Sequence, residues 1–294
     1  MITVSGFSEQ LREVRLPQGV IRYRDVGDGP VLVFVHGILV NSLLWRDVVE
    51  RLQVQYRCIV PDLPLGNHSV PMGENVDLTP KGVARIVTDL IEVLGLEDVT
   101  LVGNNTGGAI CQIVISEDPR NISRLVLTNC DAYEAFLPLA FRFLFQHAPR
   151  IFGIKFTNTL AWFLRFRVIQ RGILWTVSKR RPDISTLDSY MKPLISNSGI
   201  REDLTRFLSS ISNRYTLEAA RSFGNFRNPV LLVWAEDDFF FLPRYAERLR
   251  NDFPDATLEH APNSRAFVPE DQPCLLAERI ERFVSSHDAK TSNR

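Results

Sequence analysis

The chain has 294 residues, of which 45% are apolar, and its 34 lysine and arginine residues equal its 34 aspartate and glutamate residues. Such a composition can bury enough apolar surface to offset the entropy of ordering, which excludes a disordered chain. A net charge of zero argues against a nucleic-acid partner, because phosphate binding needs an excess of basic side chains. The composition favours a folded protein with a small or neutral partner.

Export and membrane signals are missing from the sequence. Residues 1–16 mix polar and charged side chains without the apolar stretch of a secretory signal. The most apolar region, residues 135–166, is interrupted by basic side chains, so it lacks the uncharged run of a membrane span. The four cysteines show neither metal-binding nor disulfide spacing. We therefore expect a cytoplasmic protein with free thiols, without membrane association, metal or cofactor.

Apolar runs and helical spacings alternate along the first 130 residues. A short apolar run ends in His36-Gly37 and another in Pro61-Asp62, as buried strands do when they continue into loops. Thr79-Pro80 begins a helical spacing that Gly95 ends. In chain order, the predicted elements are a strand at 31–35, a helix at 42–52, a strand at 57–60, a helix at 80–94, a strand at 99–102, a helix at 106–116 and a strand at 124–128.

The pattern changes at about residue 133, where helical spacing without a strand continues to about residue 223. A strand at 229–234, a helix at 243–253, a strand at 256–260 and a helix at 273–285 follow. Strands that alternate with helices specify a mostly parallel sheet with helices on both faces. We predict an α/β fold in which residues 1–132 and 224–294 form the core and residues 133–223 form a helical cap.

The sharpest motif is Gly103-Asn104-Asn105-Thr106-Gly107-Gly108, between a predicted strand and a predicted helix. Small residues are needed there because a strand that turns at once into a helix leaves little space around the central residue. This pattern is a nucleophile elbow with Asn105 at its tip, aimed into a cleft at the carboxyl edge of the sheet. The alternative for the motif alone is a glycine-rich connection without a catalytic role.

Further motifs accompany the elbow in a fixed order. Together they resemble the α/β-hydrolase superfamily, specifically its epoxide-hydrolase and haloalkane-dehalogenase-like branch with a helical cap. The resemblance covers almost the entire chain and implies an α/β-hydrolase fold and an enzyme of hydrolase type. The motifs are His36-Gly37, Trp45, Pro61-Asp62-Leu63-Pro64 and Trp234-Ala235-Glu236-Asp237-Asp238.

The resemblance also implies roles for individual residues. Asn105 lies where the family has its Asp or Ser nucleophile, and the backbone N–H groups of Thr106 and Ile38 match its oxyanion donors. Asp238 matches the acidic residue that follows a late strand, and Asp131 is the alternative acid of some members. These assignments predict a catalytic site at the elbow.

Two positions depart from the family pattern. Asn105 replaces the nucleophile with a neutral amide, which cannot attack carbon as a carboxylate or an activated hydroxyl does. Ala266 occupies the position of the family's histidine, so no imidazole is placed to activate water, a task worth about 10²–10⁴ in rate. These changes favour chemistry by hydrogen bonds and oxyanion stabilisation over covalent hydrolysis.

Two other histidines lie near the predicted site. His36 is expected to brace the oxyanion loop. His68 follows a loop at the same edge of the sheet and is the leading candidate for a replacement acid or base, the alternative being a solvent-facing loop residue.

Aromatic side chains are crowded in the cap. Packing between helices accounts for most of them, and we expect a remainder, including Trp162 with Phe239 beside it, to line a pocket for a bulky skeleton such as a polyketide or terpenoid. Dehalogenases of the branch release halide with side-chain N–H donors at the positions of Ile38 and Thr106. Neither residue supplies such a donor here, which argues against dehalogenation.

Three hypotheses follow. The first is a family enzyme that acts on a hydrophobic small molecule by non-covalent, non-hydrolytic chemistry. The second is an epoxide or ester hydrolase whose Asp nucleophile has been changed to Asn105. The third is a ligand-binding protein without catalysis. The sequence leaves the oligomeric state open between monomer and homodimer.

Overall fold

The computed structural model describes residues 11–137 and 139–291, and of residues 139–140 and 288–291 it describes the backbone alone. The first ten residues of the segment searched for an export signal therefore lie outside the described residues. Within that part of the chain, eight strands form one sheet in the order β1-β2-β4-β3-β5-β6-β7-β8. The strands are β1 (Leu11–Leu16), β2 (Gly19–Val26), β3 (Val31–Val35), β4 (Arg57–Pro61), β5 (Val99–Asn105), β6 (Ile122–Cys130), β7 (Val230–Ala235) and β8 (Ala256–Ala261).

The parallel part of the sheet runs from β4 to β8 and contains every strand that the sequence predicted. Its central strands are buried almost throughout, with apolar residues at their centres, because helices cover both faces. The predicted α/β-hydrolase fold is confirmed. The antiparallel hairpin of β1 and β2 was not predicted, because its exposed edge strand is rich in charged residues.

Helices of the core follow the predicted positions. The helix at 80–93 starts where the Thr79 side chain accepts the N–H of Gly82 at 3.2 Å, and it ends before Gly95, whose φ is +60°. The helix predicted at 42–52 is a 3₁₀ turn followed by an α-helix. The core helices are α1 (Arg46–Leu52), α2 (Pro80–Val93), α3 (Thr106–Glu117), α11 (Pro243–Asp252), α12 (Val268–Asp271) and α13 (Pro273–Thr291).

Between β6 and β7, the described residues form helices and no strand, apart from a bridge between Ala132 and Ala135. A π-helical turn at Phe143–His147 joins the first two of these helices. The cap helices are α4 (Leu139–Arg142), α5 (Ala148–Phe152), α6 (Ile154–Phe163), α7 (Arg167–Val177), α8 (Ile184–Ser196), α9 (Ser198–Ser210) and α10 (Asn213–Ala220).

Three of the cysteines, Cys58, Cys111 and Cys130, are buried free thiols, and Cys274 is an exposed one. Among the described residues, no helix has the length and apolar character needed to cross a bilayer. The same residues contain no cluster of three or more side chains suited to hold a metal ion.

Candidate functional site

The elbow connects β5 to α3 through a backbone turn that most residues avoid. Asn105 at its tip has φ 55° and ψ −131°, a strained conformation for a residue with a side chain. The turn is tight because a Cβ on Gly107 would lie 2.2 Å from the carbonyl oxygen of Val35. The glycines after Asn105 are thus required by the close approach of α3 to the neighbouring strand.

The amide of Asn105 has a fixed orientation. Its Oδ1 accepts the backbone N–H of Thr106 at 2.8 Å, and because an N–H can only donate, the oxygen must be the atom that faces it. A Cβ on Gly37 would come within 2.7 Å of the same oxygen, so the amide also lies against the predicted oxyanion loop. The Nδ2 group donates to no atom of the described residues. The side chain therefore offers hydrogen-bond donors rather than a nucleophilic oxygen.

A cavity of about 80 Å³ lies between the elbow and the cap and has Asn105 in its wall. Ile38 lines it beside the elbow, and Thr176 is its other polar side chain, with its hydroxyl bonded to the carbonyl of Ile173 at 2.6 Å. Within the described part of the chain, no titratable side chain lines the cavity. The other lining residues are Leu39, Val40, Leu137, Phe141, Phe145, Ile173, Leu174, Val177, Met191, Phe240, Phe241 and Phe267.

The cavity agrees with the expected apolar pocket in character, although it is small. Pockets for drug-sized ligands measure about 300–1,000 Å³. A polyketide or terpenoid skeleton does not fit about 80 Å³ with the cap in this position.

Asp131 lies directly beneath the elbow. Its Oδ2 accepts the Thr106 hydroxyl at 3.0 Å, and that hydroxyl lies 3.2 Å from Asn105 Oδ1. Its Oδ1 accepts the N–H of Leu137 at 2.8 Å. Burial raises the pKa of Asp131 to about 7, although these two hydrogen bonds act in the opposite direction. The carboxyl group contacts the elbow without lining the cavity.

Asp238 lies after β7 at the same edge of the sheet. Its carboxylate accepts from Asn129 Nδ2 at 2.6 Å and from the N–H of Phe240 at 2.8 Å. Burial raises the pKa of Asp238, and its hydrogen bonds lower it by less. Asp238 does not line the cavity and holds the loop that places Phe240 there.

His36 is fixed from both sides of its ring. Nδ1 lies 2.8 Å from the carbonyl of Gly37 and must donate to it, and Nε2 accepts the N–H of Leu63 at 2.9 Å. Burial lowers the pKa of His36, so the ring is neutral. It joins the loop after β3 to the loop after β4, which is the geometry expected of a brace.

The structure does not bring His68 to the cavity. The ring is buried, and Nε2 lies 3.0 Å from Asp203 Oδ2 on α9. That carboxylate also accepts the N–H of Met72 at 2.8 Å. His68 therefore connects a core loop to the cap, and neither the expected acid or base position nor the solvent-facing alternative describes it.

Ala266 is completely buried. Its carbonyl accepts Asn104 Nδ2 at 2.7 Å, and Asn104 also donates to Thr128 at 2.8 Å. The main chain at Ala266 is thus tied to the residue before the elbow tip, and the Ala266 side chain does not line the cavity.

Two aromatic residues expected in the pocket wall lie outside it. Trp162 is 52% exposed and packs on Phe163 and Phe166, and Phe239 is 60% exposed beneath the guanidinium of Arg265. Exposure corrects both expectations, because aromatic crowding in a sequence does not say which side of a helix faces the core.

Phe240 and Phe241, the two residues after Phe239 along the chain, line the cavity as expected of that segment, together with Asn105 and Ile38, and the rest of the wall comes mainly from the cap. The lining residues on α7 are Ile173, Leu174 and Val177, and their helical spacing in the sequence indicates that they share one side of the helix.

The fold and the strained turn after β5 define the class. Residues 30–273 match the family model described as α/β hydrolase fold, and the chain belongs to that family. It is 29% identical over 276 residues to haloalkane dehalogenase 2 of Mycobacterium tuberculosis, and the aligned region covers 90% of this chain and 92% of that protein. The family and this relative support an enzyme of hydrolase type.

Two further comparisons cover nearly the whole chain. Cis-3-alkyl-4-alkyloxetan-2-one decarboxylase of Xanthomonas campestris is 26% identical over 303 residues, covering 96% of this chain and 98% of that protein. The haloalkane dehalogenase DbeA from Bradyrhizobium elkani superposes with a TM-score of 0.80 at 18% identity, over 95% of this chain and 99% of that chain. The structural likeness supports the fold alone.

Proposed function

We propose that this chain binds a slender, neutral, apolar molecule with one carbonyl-like acceptor and converts it without hydrolysis or a covalent intermediate. The observation that carries this proposal is the free Nδ2 group of Asn105 in a cavity lined otherwise by apolar side chains and Thr176. A single donor in apolar surroundings selects ligands with a single acceptor, because an unpaired polar group there is costly.

The chemistry open to such a site is limited to reactions that need no protein base. A donor aimed at an oxygen that gains charge in the transition state typically contributes about 10²–10³ in rate. Loss of CO₂ from an oxetan-2-one is one reaction of this kind. The ring C–C and C–O bonds break, an alkene and CO₂ form, and neither water nor a proton is exchanged. We place the substrate in this class of small carbonyl compounds with alkyl chains.

A second candidate is ligand binding without turnover. It is favoured by the hydrogen bond from the Thr106 N–H to Asn105 Oδ1. Because this N–H already donates to a side chain of the protein, it is not free to stabilise an oxyanion of a substrate. A receptor for an apolar ligand needs only the cavity and the remaining amide donor.

Turnover distinguishes the two candidates. The protein is incubated with dialkyl oxetan-2-ones, epoxides, esters and haloalkanes, and products and intact protein mass are measured by mass spectrometry. We expect product without a change in protein mass, and we expect Asn105→Ala to lower kcat/KM by about 10²-fold. Asn251→Ala, an exposed amide on α11, is the matched control.

Two results would count against the assignment. Tight binding with every ligand recovered unchanged would support the receptor function. Full activity in the Asn105→Ala variant would show that the elbow is not the site.

A further inference from the structure

The neutral chain conceals a strong separation of charge. From residue 135 to residue 182 there is no aspartate or glutamate. All 34 acidic residues therefore lie in the rest of the sequence, together with only 25 of the basic residues. The segment covers the cap from α4 to the loop before α8. Its nine basic residues are Arg142, Arg150, Lys155, Arg165, Arg167, Arg171, Lys179, Arg180 and Arg181.

Exposed apolar side chains are concentrated in the same segment. We call the surface formed by Phe143, Ile151, Phe152, Trp162, Phe163 and Phe166 the cap aromatic surface. Phe143 is 71% exposed and Ile151 is 66% exposed. The ring of Trp162 lies 4.9 Å from Phe163 and 5.2 Å from Phe166. Large exposed apolar side chains in such number within one short segment mark an interaction site.

Most of the basic side chains in this segment have no carboxylate partner, although Arg142 donates to the carbonyl of Glu134 and Arg150 to the carbonyls of Ser209 and Ile211. Three of the nine form ion pairs, Arg167 with Asp188, Lys179 with Asp237 and Arg180 with Asp47. Within the described part of the chain, the other six have no carboxylate partner.

The acidic groups near this surface come from the neighbouring helices. Asp183 caps α8, and Asp188 on α8 bonds Arg167. Glu202 is exposed on α9, which packs against α5 and α6. These few carboxylates leave the surface with an excess of positive charge.

We infer that the cap aromatic surface docks on an anionic lipid bilayer. Aromatic and aliphatic side chains enter the boundary between head groups and acyl chains, and arginine and lysine side chains next to them bind anionic head groups. The cap aromatic surface supplies the apolar side chains, and the same segment supplies the basic ones. The sequence predicted no membrane partner because it lacks an uncharged membrane span. Binding at the surface of a membrane needs no such span.

A second copy of the chain is the less suitable occupant. In a two-fold dimer the same patch faces itself, so a basic surface would meet a basic surface. The apolar side chains favour a dimer, but the basic side chains without a carboxylate partner oppose it. An anionic bilayer satisfies the apolar groups and the charges together.

Helix α7 connects this surface to the cavity. Ile173, Leu174 and Val177 line the cavity, while Arg171 and the 58% exposed Trp175 lie on the outer side of the same helix. A docked cap would place α7 between the acyl chains and the cavity. A slender apolar ligand could then enter from the bilayer, although docking itself does not depend on turnover.

Vesicle binding tests the inference with the full chain. The protein is mixed with vesicles of phosphatidylcholine alone or with about one third phosphatidylserine, and bound protein is measured by sedimentation. We expect about tenfold stronger binding to the anionic vesicles, lost at about 0.5 M salt. Tryptophan emission should shift to the blue, because Trp162 and Trp175 are exposed while Trp45 and Trp234 are buried.

Matched variants assign the binding to this surface. Trp162→Ser with Phe163→Ser, and separately Arg165→Gln with Arg171→Gln, should each weaken binding by about tenfold. Val54→Ser and Arg250→Gln, exposed side chains of the core, should leave it unchanged. Thermal melting checks that every variant is folded.

Three outcomes would overturn the inference. The first is no binding to anionic vesicles by the wild-type protein. The second is binding that the cap variants do not weaken. The third is a concentration-dependent dimer in the absence of vesicles that Trp162→Ser abolishes, which would assign the surface to a second copy.

Discussion

Asn105 differs from an aspartate by one group, an NH₂ in place of an oxygen, and that group decides what the cavity contacts. The N–H of Thr106 holds the amide oxygen at 2.8 Å, so the cavity receives the NH₂ group. A carboxylate held in the same way would present its second oxygen instead. The Asn105 side chain is therefore a hydrogen-bond donor to the cavity.

Asn105→Asp should create a nucleophile that reacts once. With a 1-bromoalkane, the new carboxylate forms an ester to the carbon as bromide leaves, and the ester should persist because Ala266 offers no imidazole to activate water. Intact mass spectrometry should show one added alkyl group, with one equivalent of bromide. The wild-type protein and Asn105→Ala should show neither.

Adding Ala266→His to that variant should release the ester and give repeated bromide formation, about 10²–10⁴ faster than the single variant. Repeated turnover by Asn105→Asp alone would mean that another base reaches the cavity. That result would revive the hypothesis of a hydrolase whose nucleophile has been changed.

Asp131 should make the stability of the fold depend on pH. Its pKa is about 7 in the folded protein because of burial, and about 4 in an unfolded chain. Between these values the unfolded chain loses the proton first, so the free energy of unfolding falls as the pH rises. In the wild type, this group should lower the free energy of unfolding by about 3 kcal/mol between about pH 5 and pH 8. Urea unfolding of the Asp131→Asn variant should not show this decrease.

The control for this effect is Asp255→Asn, an exposed carboxylate that should leave the pH dependence as in the wild type. An equally steep curve in the Asp131→Asn variant would show that other groups cause the dependence.

At the scale of elements, the elbow depends on how closely α3 approaches β3. Gly107→Ala places a methyl group 2.2 Å from the Val35 carbonyl oxygen, and the contacted atom belongs to a central strand that cannot yield. We expect the free energy of unfolding to fall by about 3 kcal/mol, measured by urea unfolding.

Gly172→Ala is the matched control. Gly172 lies within α7, and a Cβ there has no neighbour within 4 Å, so alanine should raise the stability by about 0.5–1 kcal/mol through helix propensity. Similar effects at the two glycines would contradict the steric explanation.

At the scale of the whole molecule, zero net charge conceals a basic cap on an acidic core. At neutral pH, we expect the protein to be retained on a cation-exchange matrix despite its neutrality, because the matrix contacts one face at a time. Arg165→Gln with Arg171→Gln should elute at lower salt. Arg250→Gln should elute closer to the wild type, and elution of all three proteins together would contradict a localised patch.

Features that depend on local sequence could be predicted, and features that depend on contacts between distant segments could not. The parallel strands were predicted because continuous apolar runs bounded by turn residues have few alternatives, whereas β1 and β2 were missed because an exposed edge needs no such run. Asp131, which follows the strand next to β5, lies beside the elbow because the carboxyl ends of neighbouring parallel strands meet at one edge of the sheet. His68 was not placed correctly, because its partner Asp203 lies 135 residues away.

The sequence by itself determined the parallel strands with the core helices between them and the tight turn at Asn105, since these depend on local spacing and residue type. Only the tertiary structure decided the direction of the amide, the size of the cavity and the outer position of Trp162. Each of these depends on contacts between segments distant along the chain, or on which face of a helix packs inward.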